Sequence, residues 1–101
     1  MKFGDKIKKL RIDKSETLHK VSMGTDIDMT LLSKIERGER LPTVEQIKRI
    51  ADYFSLDSNI VSAEITAEKI IHVYGINEAT YKAVLLVKEK LAHYNKGEAS
   101  E

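Results

Sequence analysis

Apolar residues recur along this chain at helical spacing. Phe3, Ile7 and Leu10 make one face of a first helix, with Lys6, Lys8, Lys9 and Arg11 mostly off it. The stretch from Asp13 to Thr17 interrupts the pattern, and Ser15 or Thr17 can cap the next helix. That second helix turns Leu18, Val21 and Thr25 inward, with Gly24 late in it at a cost of roughly 1 kcal/mol relative to Ala. Asp26-Ile27-Asp28 reads as a turn. Asp28 is the N-cap expected for a third helix, Met29 to Arg37, with Leu32 and Ile35 as its core residues and Gly38 ending it in the left-handed conformation. Thr43 with Gln46 three residues on is a capping box. It opens a fourth helix whose apolar stripe is Val44, Ile47, Ile50, Ala51 and Phe54.

The last third is less regular. Asp57-Ser58-Asn59 marks a turn, and residues 59–63 suit a short fifth helix. Thr66 to Tyr74 reads as helix, although Ile70, Ile71, Val73 and Tyr74 would also suit a strand. Gly75 breaks this segment, and Asn77 caps a long final helix from Glu78 to about Tyr94. On that helix Val84, Val87, Leu91 and Tyr94 recur at spacings of three, four and three, as in a coiled-coil seam. The expected organisation is all-α: a four- to five-helix head over residues 1–57, a helical extension that dimerises over 58–95, and a disordered tail over 96–101.

Composition narrows the function classes. A chain of 101 residues with no cysteine carries neither a disulfide framework nor a thiolate metal site. No apolar run approaches the roughly 20 residues of a membrane span, and the first residues lack the apolar core of a secretory signal. A cytoplasmic protein with no membrane partner is therefore expected. Net charge is only +1, so bulk charge does not announce nucleic-acid binding. The basic residues lean toward the N-terminal half, however: of 17 Lys and Arg, only Lys69, Lys82, Lys88, Lys90 and Lys96 lie past residue 57.

Candidate chemistry is sparse. His19, His72 and His93 lie far apart, none with a second ligand at metal spacing. Glu36 and Glu39 have no nucleophile beside them, and there is no P-loop or dinucleotide fingerprint. No catalytic residue, metal or cofactor is expected.

The most specific feature is Leu31-Leu32-Ser33-Lys34-Ile35-Glu36-Arg37-Gly38-Glu39-Arg40, with Leu10-Arg11 upstream and Pro42-Thr43 downstream. Over residues 3–57 the chain resembles the lambda repressor/Cro-type helix-turn-helix family, often called XRE. The resemblance implies that the third helix enters the major groove of double-stranded DNA, with Met29, Thr30 and Lys34 facing the bases and Leu31 and Ser33 beside them. It places Thr17 and Leu18 at the sugar-phosphate backbone and Arg40 at a phosphate. Arg37 flanks the site and also has Glu36 and Glu39 as carboxylate neighbours.

The chain departs from the family pattern at three positions. Many members carry Gln where Leu18 and Met29 stand, and Gly where Asp26 stands. With apolar residues at one backbone-contacting and one base-facing position, modest affinity is expected, supported by dimerisation and DNA shape. The implied function is a sequence-specific transcriptional regulator, a repressor acting as a homodimer. The alternative is an adaptor or antitoxin that uses the same fold to bind a protein partner through the Met29–Leu31 patch.

Overall fold

The computed structural model describes residues 2–99, with side chains through Tyr94. Among the described residues the chain forms six helices and no strand: α1 (Phe3–Asp13), α2 (Leu18–Thr25), α3 (Met29–Glu36), α4 (Val44–Tyr53), α5 (Ser58–Tyr74) and α6 (Glu78–Ala99). The all-α expectation holds. No helix among them is long and apolar enough to cross a membrane. The chain divides into two compact units, Met1–Lys69 and Ile70–Glu101.

The core of the first unit is built from Phe3 and Ile7 of α1, Val21 of α2, Leu32 and Ile35 of α3, and Ile47, Ile50 and Ala51 of α4, with Phe54 just beyond. Leu10, Leu18, Leu31, Leu41, Tyr53 and Leu56 pack around it, half-buried. Burying such aliphatic and aromatic side chains supplies the main driving force for folding. Two glycines let the helices approach closely. A Cβ on Gly4 would lie 2.3 Å from the Ile35 carbonyl oxygen, and one on Gly24 would lie 2.1 Å from the Tyr53 ring.

The helix ends obey local chemistry. Thr17 caps α2 by accepting from the Lys20 N–H at 3.0 Å. Asp28 caps α3, and Thr43 and Gln46 bond reciprocally to open α4. Gly38, at φ 73°, ends α3 as expected. The N-terminus of α1 has no side-chain cap from its own neighbourhood. Instead the Phe3 N–H donates to the Glu68 carboxylate, and Lys6 pairs with Glu64 at 2.9 Å. Both acids come from α5, so the start of the chain is fastened by a segment some sixty residues away.

Two expectations need correction. Val44 opens α4 at 82% exposure, because the apolar stripe has run past the core by the first helical position. The turn read at Asp26-Ile27-Asp28 is present between α2 and α3, with Ile27 buried in the core. The segment from residue 58 to Tyr74 is one continuous helix, not a short helix and then a second segment. Its N-terminal half sets Val61 and Ile65 into the core one turn apart, and the first compact unit runs through Lys69. The extra turns of α5 are held by this burial, which overrides the strand preference of the β-branched run beyond it.

In the second unit, Gly75 takes φ 83° and breaks the chain between α5 and α6. Asn77 caps α6 by accepting from the Thr80 N–H at 2.9 Å. Every described side chain of α6 from Tyr81 onward is exposed. The helix continues through residues 96–99, expected as tail, while 100 and 101 lie outside the described residues.

Candidate nucleic-acid interface

The turn between α2 and α3 is fixed at every residue. Thr25 is buried and donates its hydroxyl to the Val21 carbonyl at 2.7 Å. Asp26 takes the left-handed conformation, φ 56° and ψ 38°, a region that glycine adopts most readily. Aspartate tolerates this region better than most residues, so the departure at Asp26 is accommodated. Arg49 of α4 donates to the Asp26 carbonyl at 3.3 Å, and Ser22 donates to the Ile27 carbonyl at 2.5 Å. Ile27 then anchors the turn in the core, and Asp28 accepts from the Thr30 N–H at 2.9 Å and from the Leu31 N–H at 3.4 Å. The result is a short helix held rigidly at a set angle, with few of its own residues engaged at the outer edge.

That outer edge carries most of the expected reading residues. Met29 is 43% exposed, Thr30 is exposed, and Ser33 and Lys34 are half-buried. Thr30, Leu31 and Lys34 line an open groove of about 260 Å³ together with Asp28. Its far wall is Arg40 and Leu41 from the connector and Thr43 and Gln46 from the start of α4. Thr30, Lys34 and Arg40 are thus brought to one place, and Met29 lies outside the groove lining. Thr43 and Gln46 were not singled out as site residues. Their capping box, legible in sequence, is the signal that puts a helix N-terminus there.

Electrostatics sort the basic residues. Arg37 donates to both carboxylate oxygens of Glu39, each at 3.1 Å, and also to the Ser33 hydroxyl. The hydrogen bond from Arg37, then the charges of Arg37 and Lys34, hold the Glu39 carboxyl below the usual carboxylate range. Arg37 is therefore occupied within the protein. Lys34 and Arg40 enter no ion pair among the described residues, which leaves both charges for a ligand. Glu36 is committed elsewhere, buried against Arg11.

Three expected residues do other work as well. Leu18 and Leu31 are half-buried and pack against the core, so Met29 and Leu31 do not form one exposed apolar patch. Thr17 is exposed at the N-terminus of α2 and serves as its cap.

Comparison with known proteins identifies the family of this span. A family model described as helix-turn-helix matches residues 7–60, more than half of the chain. No curated protein and no solved structure gives a match. The matched span holds the α2–turn–α3 unit, its caps and the groove, and the chain belongs to the XRE family of lambda repressor/Cro-like helix-turn-helix proteins, whose members are DNA-binding transcription regulators.

Proposed function

We propose that this chain is a cytoplasmic transcriptional repressor that binds a specific double-stranded DNA operator as a homodimer. The observation that carries the reading is the convergence of Thr30, Lys34 and Arg40 on one groove at the exposed edge of a rigidly capped helix. The major groove, about 12 Å wide, admits such a helix and presents donors, acceptors and thymine methyls to it. Lys34 reaches guanine acceptors, Thr30 bonds a base edge, and Met29 packs on a thymine methyl. Leu31 and Ser33 support the helix beside them. Arg40 and the α4 N-terminus, with its positive dipole end, hold a phosphate. Thr17 and Leu18 meet the backbone at the start of α2, with Arg37 on the flank.

Repression asks only that the operator be occupied, and the gathering of Thr30, Lys34 and Arg40 at one groove supports that reading. Dimerisation runs through Val84, Val87, Leu91 and Tyr94, all between 45% and 65% exposed. A two-fold dimer then reads half-sites about one helical turn apart.

The test is fluorescence anisotropy on duplexes enriched from a random library and titrated with salt. Selective binding that weakens linearly in log salt, by roughly 0.9 log units per log unit of salt for each phosphate contact, is expected. Weak, unselective binding at low salt would instead mean that the fold serves a protein partner.

A further inference from the structure

The end of α5 and α6 as far as Tyr94 expose many large apolar side chains. Between Ile71 and Tyr94, eleven large apolar side chains stand 45–89% exposed. The largest apolar patch of a typical monomer is about 300–600 Å². Four of the eleven, Val84, Val87, Leu91 and Tyr94, lie on one seam of α6, and a second copy presenting the same seam can cover it.

The seam on α6 is longer than its four large residues. Asn77, the cap residue, and then Thr80, Val84, Val87, Leu91 and Tyr94 of α6 recur at spacings of three and four throughout, the spacing of coiled-coil core positions. Their sizes rise along the helix, from Thr80 through two valines to Leu91 and Tyr94. At the small end the surface is hollow: a groove of about 440 Å³ opens beside Thr80, Ala83 and Val84, with Ile70 and Tyr74 as its other wall.

We infer that α6 pairs antiparallel with α6 of a second copy of this chain, the large end of each seam filling the hollow small end of the other. This rests on the homodimer reading above and specifies its geometry. In the register that overlaps all six positions, Asn77 faces the partner's Tyr94, Thr80 faces the partner's Leu91, and Val84 faces the partner's Val87. The small Asn77 and Thr80 meet the large Tyr94 and Leu91, and valine meets valine between them, so every layer reaches a similar volume, as close packing demands. A parallel pair would set Thr80 against Thr80 and Tyr94 against Tyr94, leaving a void at one end and crowding at the other. The same antiparallel register lays the stem of Lys90 over the partner's Ala83 and the ammonium of Lys88 near the partner's Tyr81. It sets no lysine against a lysine.

The chain has no cysteine, so engineered pairs report the geometry without background. Sedimentation of the full chain gives its mass, and mild oxidation of Thr80→Cys, Leu91→Cys and the double variant gives the register. In the antiparallel seam each single cysteine is displaced from its own copy by about 16 Å along the axis, beyond disulfide reach. The double variant brings the two types level and is expected to convert largely to a cross-linked dimer, with the singles staying uncross-linked. A dimer in which Leu91→Cys alone cross-links efficiently would overturn the antiparallel seam and keep the homodimer. A dimer in which no variant cross-links would place the interface elsewhere and overturn the seam. A monomeric chain would overturn both the seam and the homodimer, while operator selectivity, read separately by anisotropy, would stand or fall by itself.

Discussion

Arg11 and Glu36, 25 residues apart, are joined by two hydrogen bonds, Nε to Oε2 at 2.7 Å and Nη2 to Oε1 at 3.0 Å. The pair ties α1 to the last turn of α3. Its side chains are only 15% and 6% exposed, and Glu36 holds the guanidinium firmly protonated. A third bond runs from Arg11 Nη1 to the Glu16 carbonyl at 3.0 Å, just before α2. One arginine thus braces the whole α2–turn–α3 unit.

Arg11→Met should cost about 3–5 kcal/mol, because it strands a buried carboxylate. Arg11→Met with Glu36→Leu should recover most of that loss, since it removes both charges and keeps the volume. Urea midpoints of the wild type, the single and the double variant check this. A single variant within about 1 kcal/mol of wild type would show that the pair is not effectively buried in solution.

Gly24→Ala should destabilise the chain by about 1–3 kcal/mol, against the roughly 1 kcal/mol that alanine gains in a helix. The added Cβ would fall 2.1 Å from the Tyr53 ring. That ring cannot swing aside freely, because its hydroxyl donates to Glu16 at 2.6 Å and its edge meets Phe54 with centroids 5.0 Å apart. Thermal unfolding of Gly24→Ala, alone and with Tyr53→Ala, tests the clash. If alanine stabilises in the wild-type background, the close approach of α2 and α4 is wrong.

The same Tyr53–Glu16 bond predicts a pH effect. The hydrogen bond to Glu16, then burial, then the negative charge of Glu16 raise the Tyr53 phenol above its ordinary value of 10.0. A raised native value means that folding favours the protonated form. The resulting stabilisation is complete below pH 10 and is lost as pH rises through the native value. The stability difference between wild type and Tyr53→Phe should stay constant from neutral pH to about pH 9 and shrink above pH 10. A difference that is flat across this range, measured by urea midpoint, would mean that the phenol titrates normally.

What the sequence revealed and what it hid divide by the range of the cause. Asp28, Thr43 with Gln46, Asn77 and Gly38 act on N–H groups or torsions within three residues, and their roles were legible. The spacing of Ile47, Ile50, Ala51 and Phe54 likewise placed the core face of α4. Ile27 was not legible, because two aspartates flank it and only the packing of neighbouring helices puts it inside. The continuity of α5 was hidden for the same reason. It depends on Val61 and Ile65 finding the core and on Glu64 and Glu68 reaching α1. At the interface, the motif string located α3 and its reading edge. It did not show that Arg37 is held by Glu39 and Ser33 while Lys34 and Arg40 enter no such pair, a distinction set by side-chain geometry at the end of α3.

This division of the basic residues gives the sharpest prediction for DNA binding. Lys34→Ala should lower operator affinity by about 1–3 kcal/mol and relax selectivity at one base pair, the signature of a base-edge contact. Arg40→Ala should weaken all duplexes by a similar factor and reduce the salt slope by about one unit, the signature of a phosphate contact. Arg37→Ala should disturb binding least of the three, because its guanidinium is already spent on Glu39. Anisotropy on matched and single-mismatch duplexes at several salt concentrations separates the three effects, with circular dichroism to confirm unchanged folding. If Arg37→Ala proved the most damaging while Lys34→Ala changed nothing, the Arg37–Glu39 pair would have to open on DNA, and the reading edge of α3 would lie one turn further along than the groove places it.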